Sequence, residues 1–299
     1  MIPLAVLLAT LASISFACGA SAQHIGVDRT LGPESPDRRM GLSHILVLLR
    51  TQMWLGGLAL VAFGACIHIV AVYLAPITVV QPIGILAVIW SVLISARLTH
   101  TTPTRTMWLA VAGSVVGIVI FTILSTQHAA ASRAASLHGM VVTTGVVWAV
   151  ALLIAGLGMI GPRWMRSLAW SWSGAVLYGL GTGYMKIMTV VFRNGQTFTG
   201  PEFWVALAGL ALAYGIGGWF IQQGYASGPA EVVVGSMTTI DPLAAVLVGL
   251  VVLGEGALLT PAVAVGMALA GAMAAGGVAV LSRFHPDTQR HLREQAAEG

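Results

Sequence analysis

Between Ile2 and Ser282 the chain is a nearly unbroken succession of apolar stretches, each roughly 18–25 residues long, separated by short polar segments. A stretch of that length, wound as an α-helix, matches the hydrocarbon thickness of a bilayer. There the backbone must satisfy its own hydrogen bonds, and only helices and closed barrels do so. Nine spans are predicted, over residues 2–22, 51–73, 76–96, 107–125, 137–160, 168–192, 203–226, 229–253 and 260–282. Only 8% of the 299 residues are charged and 57% are hydrophobic, against about 25% charged in a soluble domain. The expectation is an all-α integral membrane protein.

The first span ends in Ala20-Ser21-Ala22, which would suit a signal-peptidase site. No basic segment precedes it, however, and its length suits a full span better than a signal-peptide core. Orientation is read from the basic residues. Arg29, Arg38, Arg39, Arg50, Arg97, Arg105, Arg163, Arg166, Arg283, Arg290 and Arg293 fall on one side of a nine-span arrangement, and only Arg133 and Arg193 on the other. The positive-inside rule then puts the N-terminus outside and the C-terminus in the cytoplasm. The long segment from Gln23 to Leu49 reads as a cytoplasmic loop.

Short motifs recur in order. Gly57-Leu58-Ala59-Leu60 returns as Gly209-Leu210-Ala211-Leu212, and Pro76 with Val79-Val80 returns as Pro229 with Val232-Val233. Phe16-Ala17-Cys18-Gly19 aligns with Tyr178-Gly179-Leu180-Gly181, which sets His24 opposite Lys186. Corresponding spans are five apart, an odd number, so the halves cross the membrane in opposite senses, as in many secondary transporters. The division expected within a single membrane domain is a first repeat over 1–125, a connecting span within 126–167, a second repeat over 168–282 and a tail over 283–299.

The segment WLGGLALVAFGACIHIVAVYLAPITVVQPIGILAV from Trp54, and its counterpart GPAEVVVGSMTTIDPLAAVLVGLVVLGE from Gly228, carry a resemblance. A Gly-rich helix, a tight turn with Ala/Gly-Pro, a helix with an internal proline and a Gly-Glu end resemble the drug/metabolite transporter superfamily, EamA-like branch. The first half, with Ala75-Pro76 and Gln81-Pro82-Ile83-Gly84, is also similar to NIPA-type magnesium transporters. Members of the superfamily usually have ten spans, so nine imply one fewer in the first half. The resemblance implies a secondary transporter working by alternating access between inverted halves in the cytoplasmic membrane. Its substrate would be a small metabolite or drug, driven by protons or by the substrate's own gradient. A magnesium or other divalent-cation carrier is the alternative, and a non-transporting membrane scaffold is a third reading.

Candidate binding residues are the polar groups that hydrocarbon should exclude, since a carboxylate there costs at least ~2.5–3.5 kcal/mol. Asp241 stands mid-span, beside Pro242, whose ring removes the helical donor for the Thr238 carbonyl. Glu231 is ten residues earlier, ~15 Å toward the cytoplasm, where the helix dipole favours a carboxylate close to water. Lys186 is the chain's one lysine and lies within a span; it either snorkels outward or faces a cavity as counter-charge to Asp241. Gln81, Tyr178 and His68 complete the set of substrate- or proton-binding candidates. Trp54, Trp108, Trp164, Trp170 and Trp204 read as interfacial anchors, and Cys18 and Cys66 as small apolar residues. The stripes Gly113-xxx-Gly117 and Ala268-xxx-Ala272-xxx-Gly276 would hold the halves together.

No P-loop, metalloprotease motif, catalytic triad or redox cysteine pair is present, so an enzyme is not expected, nor any cofactor or resident metal. The absence of a basic stripe with interleaved aromatics argues against nucleic acid. The partners expected are the lipid bilayer, a small-molecule substrate and protons, with the chain a monomer or homodimer.

Overall fold

The computed structural model describes residues 2–31, 40–74, 83–98, 100, 102–130, 136–193 and 200–284. Of these described residues 91% are helical, and none lies in a strand. The helices are α1 (Ile2–Leu31), α2 (Leu42–Leu48), α3 (Gln52–Leu74), α4 (Leu86–Leu98), α5 (Arg105–Gln127), α6 (Leu137–Ile160), α7 (Arg163–Arg193), α8 (Pro201–Ser227), α9 (Ala230–Val252) and α10 (Pro261–Phe284). A 3-10 turn, Glu255–Leu258, follows α9. Helix starts use local chemistry: the Thr104 and Ser136 hydroxyls accept from the Met107 and Gly139 amides, and Pro201 opens α8.

Seven helices are long and apolar enough to cross a bilayer, α1, α3, α5, α6, α8, α9 and α10. The two other predicted spans correspond to α4, of which 13 residues are described, and to α7, whose 31 residues include Ser, Thr and basic side chains. α7 is less apolar because it is interior, packing against α6, α8, α9 and α10 rather than facing lipid on all sides. The predicted loop from Gln23 is partly helix instead. α1 runs to Leu31, and α2 occupies much of 40–50, because Val27, Leu31, Met40 and Leu48 bury themselves in one apolar cluster.

That cluster marks one end of the molecule. It joins α1, α2, α4, α5, α7, α8, α9 and α10, and Arg29, Arg50, Arg97, Arg105, Arg166 and Arg283 stand in or beside the segments that supply it. Smaller clusters lie apart from it, among them one around Met140, Leu180, Tyr184, Phe203 and Val248, and another of Ala5, Ala9 and Ala71.

Small residues set the closest approaches, as membrane packing requires. A methyl group added at Gly57 would lie 2.7 Å from the Gly19 carbonyl oxygen, so α1 and α3 touch backbone to backbone. The α7–α8 pair meets likewise at Gly174 and Gly217. α5 packs on α10 where an added methyl at Gly117 would sit 2.7 Å from the Ala270 carbonyl and 2.6 Å from the Ala274 amide nitrogen. Ser114 Oγ donates to the Ala274 carbonyl at 3.0 Å beside this contact. The expected stripes are therefore corrected in their rotation. Gly113 and Gly276 have nothing within 4 Å of an added Cβ, and Ala268 and Ala272 are exposed. Gly117 takes its expected place in the seam, and Ser114, Ala270, Ala274 and Gly277 make the rest of it.

Candidate functional site

α7 is where the polar candidates gather. Gly179 and Gly183, one turn apart, give it a backbone-deep face on which α9 lies. A methyl at Gly179 would fall 2.7 Å from the Asp241 carbonyl oxygen and 2.8 Å from the Ala245 nitrogen. This contact brackets Pro242, where α9 lacks one internal hydrogen bond. On the adjoining face of α7 stand Tyr178, Thr182 and Lys186, successive residues at four-residue spacing and hence in one line. α8 and α9 flank that line from either side.

Thr182 is the meeting point. Its Oγ1 donates to Asp241 Oδ1 at 3.4 Å, a long bond, and Tyr214 of α8 stands close beside it. Tyr214 stacks obliquely on Tyr178, with ring centroids 4.8 Å apart. A carboxylate, a threonine hydroxyl and two phenols thus come from three helices onto one patch. Asp241 and Tyr178 are half-buried, while Thr182 and Tyr214 are exposed at the patch. Such a set offers oxygen ligands to a cation, or an acceptor and hydroxyl donors to a polar metabolite.

Lys186 neither snorkels alone nor meets Asp241 in this arrangement. Its Nζ lies 2.7 Å from Glu255 Oε2 and 2.6 Å from Oε1. Glu255 follows Gly254, whose φ of 65° is left-handed and suits glycine. That turn folds the carboxylate back onto the last turns of α9, with Oε2 only 2.6 Å from where a Cβ on Gly249 would be. The Glu255 carbonyl also accepts from the Ala130 amide at 2.8 Å, which ties the turn to the end of α5. The Gly-Glu pair of the family pattern thus has a physical reason: glycine makes the turn and glutamate meets the lysine of α7.

The other candidates are dispersed. Glu231 is in the first turn of α9 but is 1% exposed, packed among Ala230, Val232 and the large apolar cluster rather than close to water. His68 of α3 faces Phe16 of α1, ring centroids 6.3 Å apart, rather than a residue of the α7 patch. Its Nδ1 is buried without a hydrogen-bond partner among the described residues. Gln81 lies outside the described residues.

A second polar assembly sits at the arginine-rich end. Trp54 Nε1 donates to Gln222 Oε1 at 2.9 Å, and Gln222 Nε2 donates to Gln23 Oε1 at 3.1 Å. Gln223 exchanges two bonds with the Met40 backbone, at 2.6 and 3.0 Å, and His24 Nδ1 meets the Tyr225 carbonyl at 3.0 Å. Trp54 is therefore a link between α3 and α8 rather than an interfacial anchor. Trp170 is likewise interior, 6% exposed against Trp219 and Phe220. Sequence reasoning missed Thr182, Tyr214 and Glu255 at the patch. The signals available were the four-residue line from Tyr178 to Lys186, and a carboxylate placed directly after glycine at a span end.

Among the described residues no group of three or more His, Cys, Asp or Glu side chains is placed to hold a metal ion. The first-half sequence from residue 4 to residue 162 matches the family model described as magnesium transporter NIPA. The chain is also 26% identical over 265 residues to an uncharacterized protein of Corynebacterium glutamicum, covering 84% of this chain and 85% of that one. No solved structure matches it. The family match spans α1 to α6, just over half of the chain, and its family lies within the EamA-like drug/metabolite transporter superfamily. A helical, multi-pass molecule with charges lodged among its helices agrees with that match, and the chain belongs to the NIPA magnesium transporter family.

Proposed function

We propose that the chain carries a divalent cation, magnesium foremost, across the cytoplasmic membrane by alternating access, with Asp241 as the receiving carboxylate. The observation that carries this reading is the convergence of Asp241, Thr182 and Tyr214 from three helices beside a proline. Family membership favours a cation over the small metabolite or drug that the superfamily resemblance alone would put first. The missing acidic cluster is compatible with magnesium, which dehydrates reluctantly and is held through one or two carboxylates with several of its waters kept. A permanent cage would hinder release. No cofactor is needed, and charges lodged between helices are a cost that a mere scaffold need not bear.

The architecture proposed is nine spans in two inverted halves with the N-terminus outside. The pairing of α1 with α3 and α4, paralleled by α7 with α8 and α9, supports it. The Gly174–Gly217 contact lies roughly two helical turns along the same seam from the positions aligned with Gly19 and Gly57, so both hairpins share a register. The closed end is then the cytoplasmic one, sealed by the large apolar cluster and the Gln23–Trp54–Gln222 seam.

The test is uptake of magnesium into vesicles carrying purified protein and a trapped indicator dye. Asp241→Asn should reduce the rate by about tenfold or more, as expected when more than about 1.4 kcal/mol of site stabilisation is lost, and Asp241→Glu should keep part of it. An unchanged rate in Asp241→Asn would remove that residue from the mechanism. A second reading, a zwitterionic metabolite, is favoured by the Lys186–Glu255 pair next to the tyrosines. Amino-acid uptake without magnesium uptake would select it.

A further inference from the structure

We propose that Lys186 is a tethered ammonium that exchanges between two carboxylates, Glu255 and Asp241, and so competes with the transported cation for both. The inference rests on the reading of Asp241 as the receiving carboxylate, and adds a second carboxylate and a competitor to it.

The two partners of the observed pair differ in freedom. The Lys186 side chain is 50% exposed, whereas that of Glu255 is 8% exposed. Glu255 is fixed three ways: by the left-handed Gly254, by contact with the backbone at Gly249, and by the Ala130 amide on its carbonyl. The acceptor is rigid and the donor is mobile.

Lys186 stands one turn beyond Thr182 on the same face of α7, a rise of about 5.4–6 Å. Thr182 touches Asp241. Long side chains on a helix lean back toward its N-terminus, over the residue four positions earlier. For Lys186 that residue is Thr182, so the alternative rotamer carries the ammonium down to Asp241. A four-carbon stem with rotatable bonds covers this distance without moving a helix. α7 and α9 run in parallel here, since Gly179 meets Asp241–Ala245 and Gly183 meets Val248. Glu255 lies toward their C-terminal ends and Asp241 lies back toward the N-terminal side.

One ammonium cannot neutralise two carboxylates at once. With Lys186 on Glu255, as observed, Asp241 is open to a cation. When Lys186 turns to Asp241 it displaces that cation and releases Glu255 to receive the next. Entry and exit of a doubly charged ion are then coupled to a rotation of one side chain, and the carboxylate that the cation leaves is neutralised by the ammonium.

The chain has a single lysine, so acylation by an amine-reactive ester, followed by peptide mapping, reports Lys186 alone among side-chain amines. Purified full-length protein is compared with Glu255→Gln, Asp241→Asn and the double variant, all near-isosteric. Each single variant should acylate within about twofold of the parent, because the ammonium retains one carboxylate. The double variant should acylate about tenfold faster, because the ammonium then has neither carboxylate to hold it. Magnesium chloride should accelerate acylation of the parent and leave the double variant unchanged. The full rise in Glu255→Gln alone would overturn the exchange, since Lys186 would then serve Glu255 only. The rise confined to the double variant, with magnesium without effect on the parent, would uphold the exchange and instead remove magnesium as the cargo. Should the double variant fail to fold, Glu255→Gln decides by itself: protection retained supports exchange, and protection lost overturns it.

Discussion

Thr182 shows how one side chain can make a site from three helices. Its hydroxyl bonds Asp241 on α9 and lies beside Tyr214 on α8, so neither helix supplies the patch alone. Thr182→Val keeps the shape and deletes the link. The expected outcome is a transport rate lowered by about tenfold with stability changed by no more than about 1.5 kcal/mol, the worth of a hydrogen bond. Vesicle uptake and a thermal melt of the same preparation check the two parts. Gly254 makes a separate prediction. With φ at 65° it occupies the left-handed region, where an L side chain costs about 1–2 kcal/mol. Gly254→Ala should destabilise the turn by about that amount, loosen Glu255 and accelerate acylation of Lys186. A variant with the parent's acylation rate would show that the turn does not hold the carboxylate.

The helices divide into those whose tilt is set by glycine and those that fill space. α5 against α10 is the clearest case, because adjacent glycines on one helix differ entirely in surroundings. Gly117→Leu drives a large side chain into the α10 backbone and should cost about 1–3 kcal/mol or prevent folding. Gly113→Leu meets nothing within 4 Å and should stay within about 0.5 kcal/mol of the parent. Equal losses in detergent melts would mean that α5 is rotated from the position described. Within α9, Pro242 leaves a gap in the helical bonding beside the site. Pro242→Ala restores the donor to the Thr238 carbonyl. It should raise the melting temperature while lowering transport, provided that the carrier uses this point to bend.

For the whole molecule the decisive contrast is between its two ends. At the arginine-rich end eight helices share one apolar cluster, crossed by the bonds among Gln23, Trp54 and Gln222. An alternating-access carrier must break this seam to open on that side. Cysteines at Gln23 and Gln222, in a background with Cys18 and Cys66 replaced, joined by a short thiol crosslinker, should therefore stop net transport. Binding of cation from the other side should be preserved. Transport that continues after complete crosslinking would place the moving gate elsewhere.

The sequence by itself determined the class of molecule: long apolar runs leave a bilayer no alternative to helices, and charge in such runs singled out Asp241 and Lys186 as residues needing a reason. It also marked glycines that sit at close contacts, since Gly57, against Gly19, and Gly209, against Tyr184, stand in recurring motifs. Which way each helix faces was decided only by the tertiary structure. A soluble helix reveals its buried side by an apolar stripe, but a membrane helix is apolar all round, so lipid-facing Gly113 and packed Gly117 look alike in sequence. Glu231 illustrates the same limit. Its place in a first helical turn suggested water, and apolar packing from several helices buries it. Lys186 illustrates a second one. Its partner is 69 residues away in the chain, reached because a left-handed glycine turns Glu255 back over α9. Periodicity records neighbours along a helix; a pair between α7 and the turn beyond α9 exists only once the helices have packed.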